Sequence, residues 1–127
     1  MHSRGLIGLV FLVAALSPAA AQDAENGEQV FRKCRACHQV GDGAKNTVGP
    51  QLNDIVGRVA GGVDGFNYSK ANRKAAEEGL VWTEENLMAY LENPRKFMPG
   101  TKMAFAGLRD EQERKDVIAF LKKFSQQ

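Results

Sequence analysis

The stretch KCRACH, residues 33–38, holds both cysteines of this 127-residue sequence and one of its two histidines. The other histidine, His2, lies at the start of the chain. On a helical turn, positions i, i+3 and i+4 share one face, so Cys34, Cys37 and His38 are expected to point the same way. Two thiols and one imidazole on a single face indicate a binding site.

Three chemistries fit parts of this pattern. A Cys34–Cys37 disulfide would be of a redox-active type, and it leaves His38 without a role. A structural zinc ion takes four ligands, and only three of the usual soft ones are present. Covalent haem attachment uses all three residues, because the thiols add to the vinyl groups and the histidine is aimed at the iron. The motif C-x-x-C-H therefore favours a c-type haem, with the redox disulfide as the remaining alternative.

Residues 1–21 are typical of a secretory signal peptide. A positively charged start precedes an apolar run over residues 5–16, and Ala19-x-Ala21 supplies a cleavage signal. This run is shorter than a bilayer span requires, and no later segment is long and apolar enough to cross. We therefore expect cleavage after Ala21, a single domain over residues 22–127, a periplasmic location and no stable membrane insertion.

The charge balance bears on the class of partner. The sequence has 17 Lys and Arg against 15 Asp and Glu, and loss of Arg4 with the signal peptide leaves a net charge of about +1. This gives no case for nucleic acid, which is bound through strongly basic surfaces. Partner choice is expected to depend instead on where the charges lie.

Hydrophobic periodicity predicts an all-α domain with three main helices, at residues 23–33, 83–92 and 110–124. Thr83 and Asp110 are expected to be N-caps, and the second main helix should end before Asn93-Pro94. A shorter helix over residues 71–78 would end at Gly79. The glycine-rich loop between the first and the shorter helix has little periodicity, so it needs a large partner to wrap around. A haem would be such a partner.

A six-coordinate haem iron needs a second axial ligand, and the chain beyond residue 21 offers Met88, Met98 and Met103. Methionine in that position raises the reduction potential. Met88 falls on a predicted helix beside its apolar face, where packing is the expected role. Met98 precedes a proline, and Met103 follows the turn-forming sequence PGTK. The residues alone favour Met103 and leave Met98 open.

Six stretches match one family in the same order along the chain. They are CRACH (34–38), VGPQL (48–52), GFNYSKAN (65–72), VWTEENLMAYLENP (81–94), PGTKMAFAGL (99–108) and DVIAFLKKF (116–124). They resemble the class I c-type cytochromes, which include bacterial cytochrome c2 and mitochondrial cytochrome c. The segment between Asn72 and Trp82 is about three residues longer than in the mitochondrial type, which favours the c2-like branch. The resemblance implies an all-α cytochrome c fold, with long loops around one covalently bound haem c.

The resemblance also implies roles for individual residues. Cys34 and Cys37 would carry the haem, and His38 and Met103 would be the axial ligands. The carbonyl of Pro50 would accept a hydrogen bond from the His38 ring, which fixes the orientation and basicity of a ligand. The residues implied around a haem propionate are Arg58, Tyr68 and Trp82. Those implied beside Met103 are Asn72, Tyr90 and Thr101, with Phe105 over the haem edge and Gly27 where the first and last helices cross.

The implied function is that of a soluble periplasmic electron carrier and not an enzyme. It would pass single electrons between membrane complexes, from a bc1-type donor to an oxidase or a photosynthetic reaction centre. A basic face would steer docking to acidic patches on these partners. Its residues would be Lys33, Lys45, Arg95, Lys96, Lys102 and Arg109, and a monomer is expected. The alternative is a small haem peroxidase or a haem-dependent oxidoreductase subunit, which would need an open iron site.

Overall fold

The computed structural model describes residues 1, 5, 8–14 and 22–125, and within this part of the chain it contains five helices. They are α1 (Ala24–Phe31), α2 (Lys70–Glu77), α3 (Glu84–Glu92), α4 (Pro94–Phe97) and α5 (Glu111–Lys122). The three predicted main helices and the shorter one before Gly79 are confirmed, and their ends differ from the predicted ones by no more than two residues. The one-turn helix α4 was not predicted, because four residues are too few to show a period.

Each helix begins where a short polar side chain accepts a hydrogen bond from the backbone N–H three residues later. The predicted caps Thr83 and Asp110 bind the amides of Asn86 and Glu113, both at 3.1 Å. Asn93 ends α3 and also caps α4, where Pro94 takes the first helical position. The proline thus separates two helices that follow one another directly.

Helices α1 and α5 cross at Gly27, as the resemblance implied. A Cβ atom at this position would lie 1.9 Å from the carbonyl oxygen of Asp116 and 2.9 Å from Cβ of Phe120. The absence of a side chain therefore lets the two backbones touch. One turn further along, the Phe31 and Phe120 rings pack with their centroids 5.2 Å apart. This crossing forms the centre of the apolar core.

A buried carboxylate fixes the start of α1 against α5. Asp116 is only 2% exposed. It accepts hydrogen bonds from the backbone N–H of Asp23 at 2.9 Å, from Asn26 Nδ2 at 2.7 Å and from Gln112 Nε2 at 2.9 Å. Burial alone would raise the pKa of Asp116, but these three hydrogen bonds outweigh it and lower the pKa. Asp116 is therefore ionised at neutral pH.

Residues 32–69 form the long connection that surrounds the cavity described below. Outside the helices, the described residues hold one isolated β-bridge, between Val59 and Val81, and no strand. Two hydrogen bonds between the Asn53 side chain and the Gly41 backbone, at 2.8 and 2.9 Å, tie distant parts of this loop together. Among the described residues, no helix has the length and apolarity needed to cross a bilayer. The predicted cleavage signal at Ala19-x-Ala21 lies outside the described residues.

Candidate functional site

The helices and the long loop enclose a cavity of about 410 Å³. Its wall includes apolar side chains from all three main helices, among them Phe31, Leu87 and Val117. All eight residues predicted to bind the cofactor also line it, namely Cys34, Cys37, His38, Pro50, Arg58, Tyr68, Trp82 and Met103. A cavity of this size, apolar with a few polar groups, is typical of a site for a large organic cofactor.

The predicted helical turn at the C-x-x-C-H motif is present. The backbone N–H groups of Cys37 and His38 both donate to the carbonyl of Cys34, at 3.1 and 2.9 Å. This turn directs the three side chains to the same cavity. The two sulfur atoms are not joined in a disulfide, so both can form bonds to a cofactor in the cavity.

The environment of Cys34 does not favour the redox-disulfide alternative. Burial, with a smaller effect of Cys37, raises the pKa of Cys34 to about 11. A redox-active C-x-x-C pair instead needs a lowered thiol pKa, because the thiolate is the reactive form. Within residues 1, 5, 8–14 and 22–125, no group of three or more metal-binding side chains is placed to hold a metal ion such as zinc. The surroundings of the motif suit a buried thioether better than either alternative.

The His38 ring is held by the backbone of the long loop. Its Nδ1 lies 2.7 Å from the carbonyl oxygen of Pro50, as the resemblance implied. A Cβ atom at Gly49 would come within 2.4 Å of Cε1 of the ring, so only glycine lets the loop approach this closely. Burial lowers the pKa of His38, which keeps the imidazole neutral near pH 7. With Nδ1–H donating to Pro50, the lone pair of Nε2 is available for a metal.

The three methionines occupy different surroundings. Met103 is half-buried and lines the cavity. Met98 is 4% exposed and belongs to the apolar core, and Met88 packs against that core. Met88 thus packs as expected, and Met98, which the residues alone left open as a ligand, also belongs to the core. Of these three methionines only Met103 borders the cavity. Pro99 and the turn that follows it thus separate Met98 in the core from Met103 at the cavity.

A polar chain supports the segment that carries Met103. The Tyr90 hydroxyl on α3 lies 2.8 Å from Thr101 Oγ1, and this oxygen also accepts the backbone N–H of Met103 at 3.3 Å. Tyr90 and Thr101 are therefore beside Met103, as the resemblance implied. Asn72 also lines the cavity, and its buried Oδ1 atom has no hydrogen-bond partner among the residues that the structure describes. A buried acceptor of this kind is expected to be paired with a hydrogen-bond donor when the cavity is filled.

The polar residues predicted to bind a propionate form part of the same wall. Arg58 Nη1 donates to the carbonyls of Gln51 at 3.2 Å and Asn53 at 3.0 Å. The Tyr68 hydroxyl accepts the backbone N–H of Val63 at 3.0 Å, so its own proton remains to be donated. Trp82 is 6% exposed and lies with its ring centroid 4.8 Å from that of Tyr90. The bonds from Arg58 to the loop backbone were not predicted, because they depend on how that loop folds.

Comparison with known proteins agrees with this geometry. The family model for cytochrome c matches residues 24–125. The chain belongs to the cytochrome c family. It is 51% identical to cytochrome c2 of Blastochloris viridis over 120 residues, which is 94% of this chain and 92% of the relative. It is 54% identical to cytochrome c-550 of Ancylobacter novellus over 99 residues, covering 78% and 92% of the two chains.

Solved structures agree in fold. The structure of cytochrome c2 from Rhodospirillum centenum matches with a TM-score of 0.76 and 52% identity, covering 81% of this chain and 98% of that one. Cytochrome cH from Methylobacterium extorquens matches with a TM-score of 0.72 and 44% identity, covering 80% and 98%. The predictions of a c-type cytochrome, of its all-α fold and of one haem c bound through Cys34 and Cys37 are thereby confirmed. This cytochrome is an electron carrier and not an enzyme.

The predicted basic face is only partly related to the cavity. Lys33 and Lys102 line it, whereas Lys45, Arg95, Lys96 and Arg109 are exposed but do not. Lys33 also forms an ion pair with Glu113, with Nζ and a carboxylate oxygen 3.6 Å apart. Sequence reasoning missed Val48 and Phe66, which line the cavity as well. Val48 is 73% exposed, so an apolar side chain adjoins the opening.

Proposed function

We propose that this cytochrome is a soluble periplasmic carrier of single electrons, with His38 and Met103 as the axial ligands of its haem iron. The observation that carries the proposal is that one cavity collects both cysteines, the oriented imidazole of His38 and, among the three methionines, Met103 alone. A neutral imidazole and a thioether are both ligands that haem iron takes in electron-transfer proteins. The haem, when bound, supplies the exchange between Fe(II) and Fe(III).

The chain's own residues then favour transfer of an electron over other reactions. If His38 and Met103 fill both axial positions, neither oxygen nor peroxide has an open position on the iron. The His38–Pro50 bond and the Tyr90–Thr101–Met103 chain hold the two side chains in one arrangement. Ligands that stay in place on oxidation keep the reorganisation small. The enzyme alternative would need a displaced Met103 and a distal acid–base residue.

Arg58, Tyr68 and Trp82 are proposed to hold a haem propionate. All three line the cavity, and Tyr68 retains a hydroxyl proton that can be donated. A carboxylate in a partly buried site needs such donors and a nearby positive charge. Asn72 Oδ1 is an acceptor, so its missing partner would be a donor, such as a water molecule held at the propionate.

The proposed location and partners follow from the signal-like sequence and the charges. Removal of residues 1–21 would release the domain of residues 22–127 into the periplasm as a monomer. Lys33 and Lys102 at the cavity, with the other four exposed basic residues, would guide docking to acidic patches on membrane redox complexes. A bc1-type donor and an oxidase or photosynthetic reaction centre fit that role.

The axial assignment can be tested by spectroscopy of the purified holoprotein. Ferric haem with a methionine ligand has a weak far-red absorption band, and we expect the wild-type protein to show it. Met103→Ala should abolish this band and let cyanide bind rapidly. Met98→Leu is the matched control, since Met98 is buried in the core and away from the cavity. Loss of the band in Met98→Leu, with the band retained in Met103→Ala, would refute the assignment.

A further inference from the structure

Two loops meet at the edge of the cavity through a contact that the proposed function does not use. Lys102 Nζ lies 4.7 Å from the centroid of the Phe66 ring. Both residues line the cavity, and Lys102 is exposed while Phe66 is half-buried. A lysine ammonium within about 6 Å of an aromatic face is attracted by the ring. The contact therefore joins the segment that carries Met103 to the loop before α2.

The Phe66 side of this contact is firmly held. The Phe66 ring packs edge-on against Tyr68, with the centroids 4.9 Å apart and an interplanar angle of 79°. The Tyr68 hydroxyl accepts the backbone N–H of Val63 at 3.0 Å, and the Tyr68 carbonyl accepts a hydrogen bond from Arg73 at 2.7 Å. Because Tyr68 is bound at both ends, Phe66 offers a fixed surface to the lysine.

The Lys102 side lies directly beside Met103. Thr101 and its partner Tyr90 support the same segment from within the protein. Lys102 adds a restraint on the solvent side, where the neighbouring Ala104 is exposed. Movement of Met103 away from the cavity would have to carry Lys102 with it, and would separate the ammonium from the ring.

We propose that the contact between Lys102 and Phe66, here called the latch, holds the Met103 segment over the cavity and limits the access of external ligands to the haem iron. Phe66 is then a positioning residue that acts through Lys102 on Met103. This inference rests on the proposed axial role of Met103. An exposed cation–π pair shifts an equilibrium by about two- to fivefold, so loss of the latch should increase the open population by that factor.

The test measures imidazole binding to the ferric holoprotein by stopped flow, at a pH where imidazole is neutral. A neutral probe keeps surface charge from affecting the encounter. Phe66→Leu and Lys102→Gln should each raise the observed binding rate about two- to fivefold. The double variant should be no faster than the faster single variant, since both changes remove the same contact. Phe66→Tyr and Lys102→Arg keep an aromatic ring and a cation that can stack on it, so both should bind imidazole at about the wild-type rate.

A remote charge change supplies the control. Lys123→Gln removes an exposed lysine that neither lines the cavity nor belongs to the proposed docking face, so its imidazole-binding rate should match that of the wild type. A second readout is hydrogen exchange of the backbone amides of residues 101–106 in Phe66→Leu, which should become faster while α1 and α5 remain unchanged.

The outcomes separate the latch from the axial assignment. If the wild type has the far-red band, and either single variant binds imidazole at the wild-type rate, the latch is refuted and Met103 ligation stands. Additive effects in the double variant would also overturn the latch, because the residues would then act separately. If the wild type lacks the far-red band and binds imidazole within the mixing time, the axial proposal itself fails.

Discussion

Replacing Gly27 with alanine should stabilise α1 through helix propensity and destabilise the protein through a packing clash. The structure indicates that the clash is the larger effect. In an exposed helix, glycine to alanine stabilises by about 1 kcal/mol. At Gly27 the new Cβ atom would lie 1.9 Å from the Asp116 carbonyl oxygen, whereas ordinary contact begins at 3.4 Å. Its neighbours are backbone and a Cβ atom rather than the flexible end of a side chain, so α1 and α5 must move apart.

That separation would disturb the contacts on both sides of the crossing. It would lengthen the bonds from Asp23 and Asn26 to the buried Asp116 carboxylate and loosen the Phe31–Phe120 packing. Overpacking against rigid neighbours costs about 3 kcal/mol, which exceeds the propensity gain. We expect a net loss of about 2 kcal/mol and a melting temperature lower by about 10 °C.

The assay is denaturant unfolding of the ferric holoprotein followed by circular dichroism. Gln29→Ala is the matched control, because Gln29 is an exposed residue of the same helix and its replacement should change stability by less than about 0.5 kcal/mol. A Gly27→Ala protein as stable as the wild type, or more stable, would show that the helices separate without cost and would refute the reasoning.

Three further predictions concern the buried carboxylate, the histidine and the docking face. Asp116 has a lowered folded-state pKa, so its stabilising effect is present above the unfolded pKa of about 3.9 and is lost as the pH falls through the folded pKa. Asp116→Asn should therefore cost about 2 kcal/mol at pH 7 and less at pH 2, measured by urea unfolding. In Gly49→Ala the new Cβ atom should displace the His38 ring and break its 2.7 Å hydrogen bond to the Pro50 carbonyl. The imidazole would then be a weaker electron donor to Fe(III). The midpoint potential measured by voltammetry should rise by about 40 mV, the equivalent of a 1 kcal/mol hydrogen bond in a one-electron couple. Turnover with a membrane oxidase should fall steadily as ionic strength rises, because salt screens the basic face.

Each of these three predictions would be contradicted by a specific result. Equal destabilisation of Asp116→Asn at both pH values would mean that the carboxylate acts by shape and not by charge. An unchanged or lowered potential in Gly49→Ala would remove the Pro50 bond from the factors that set the potential. For the docking face, a turnover rate indifferent to salt would exclude electrostatic steering, with cyanide-sensitive oxidase activity as the control for an active partner.

The haem-attachment motif and the positions of the main helices could be predicted from short-range sequence patterns. The spacing of Cys34, Cys37 and His38 requires only one helical turn to bring the side chains together. The haem motif can therefore be recognised from the sequence before the tertiary structure is known. Helix starts and breaks depend on residues close in sequence, here the caps Thr83 and Asp110 and the break at Pro94. The main helices were predicted correctly for that reason. The family resemblance placed Pro50, Tyr90 and Thr101 where the structure has them.

What only the tertiary structure decided is which distant residues meet. From the residues alone, Met98 and Met103 were both candidates, and the difference appeared only when one packed into the core and the other bordered the cavity. The Arg58 bonds to loop carbonyls and the Lys102–Phe66 contact likewise join segments whose separation in sequence carries no local signal. Local backbone preference sets where a helix begins, but the closure of long loops over a cavity depends on the packing of the whole chain.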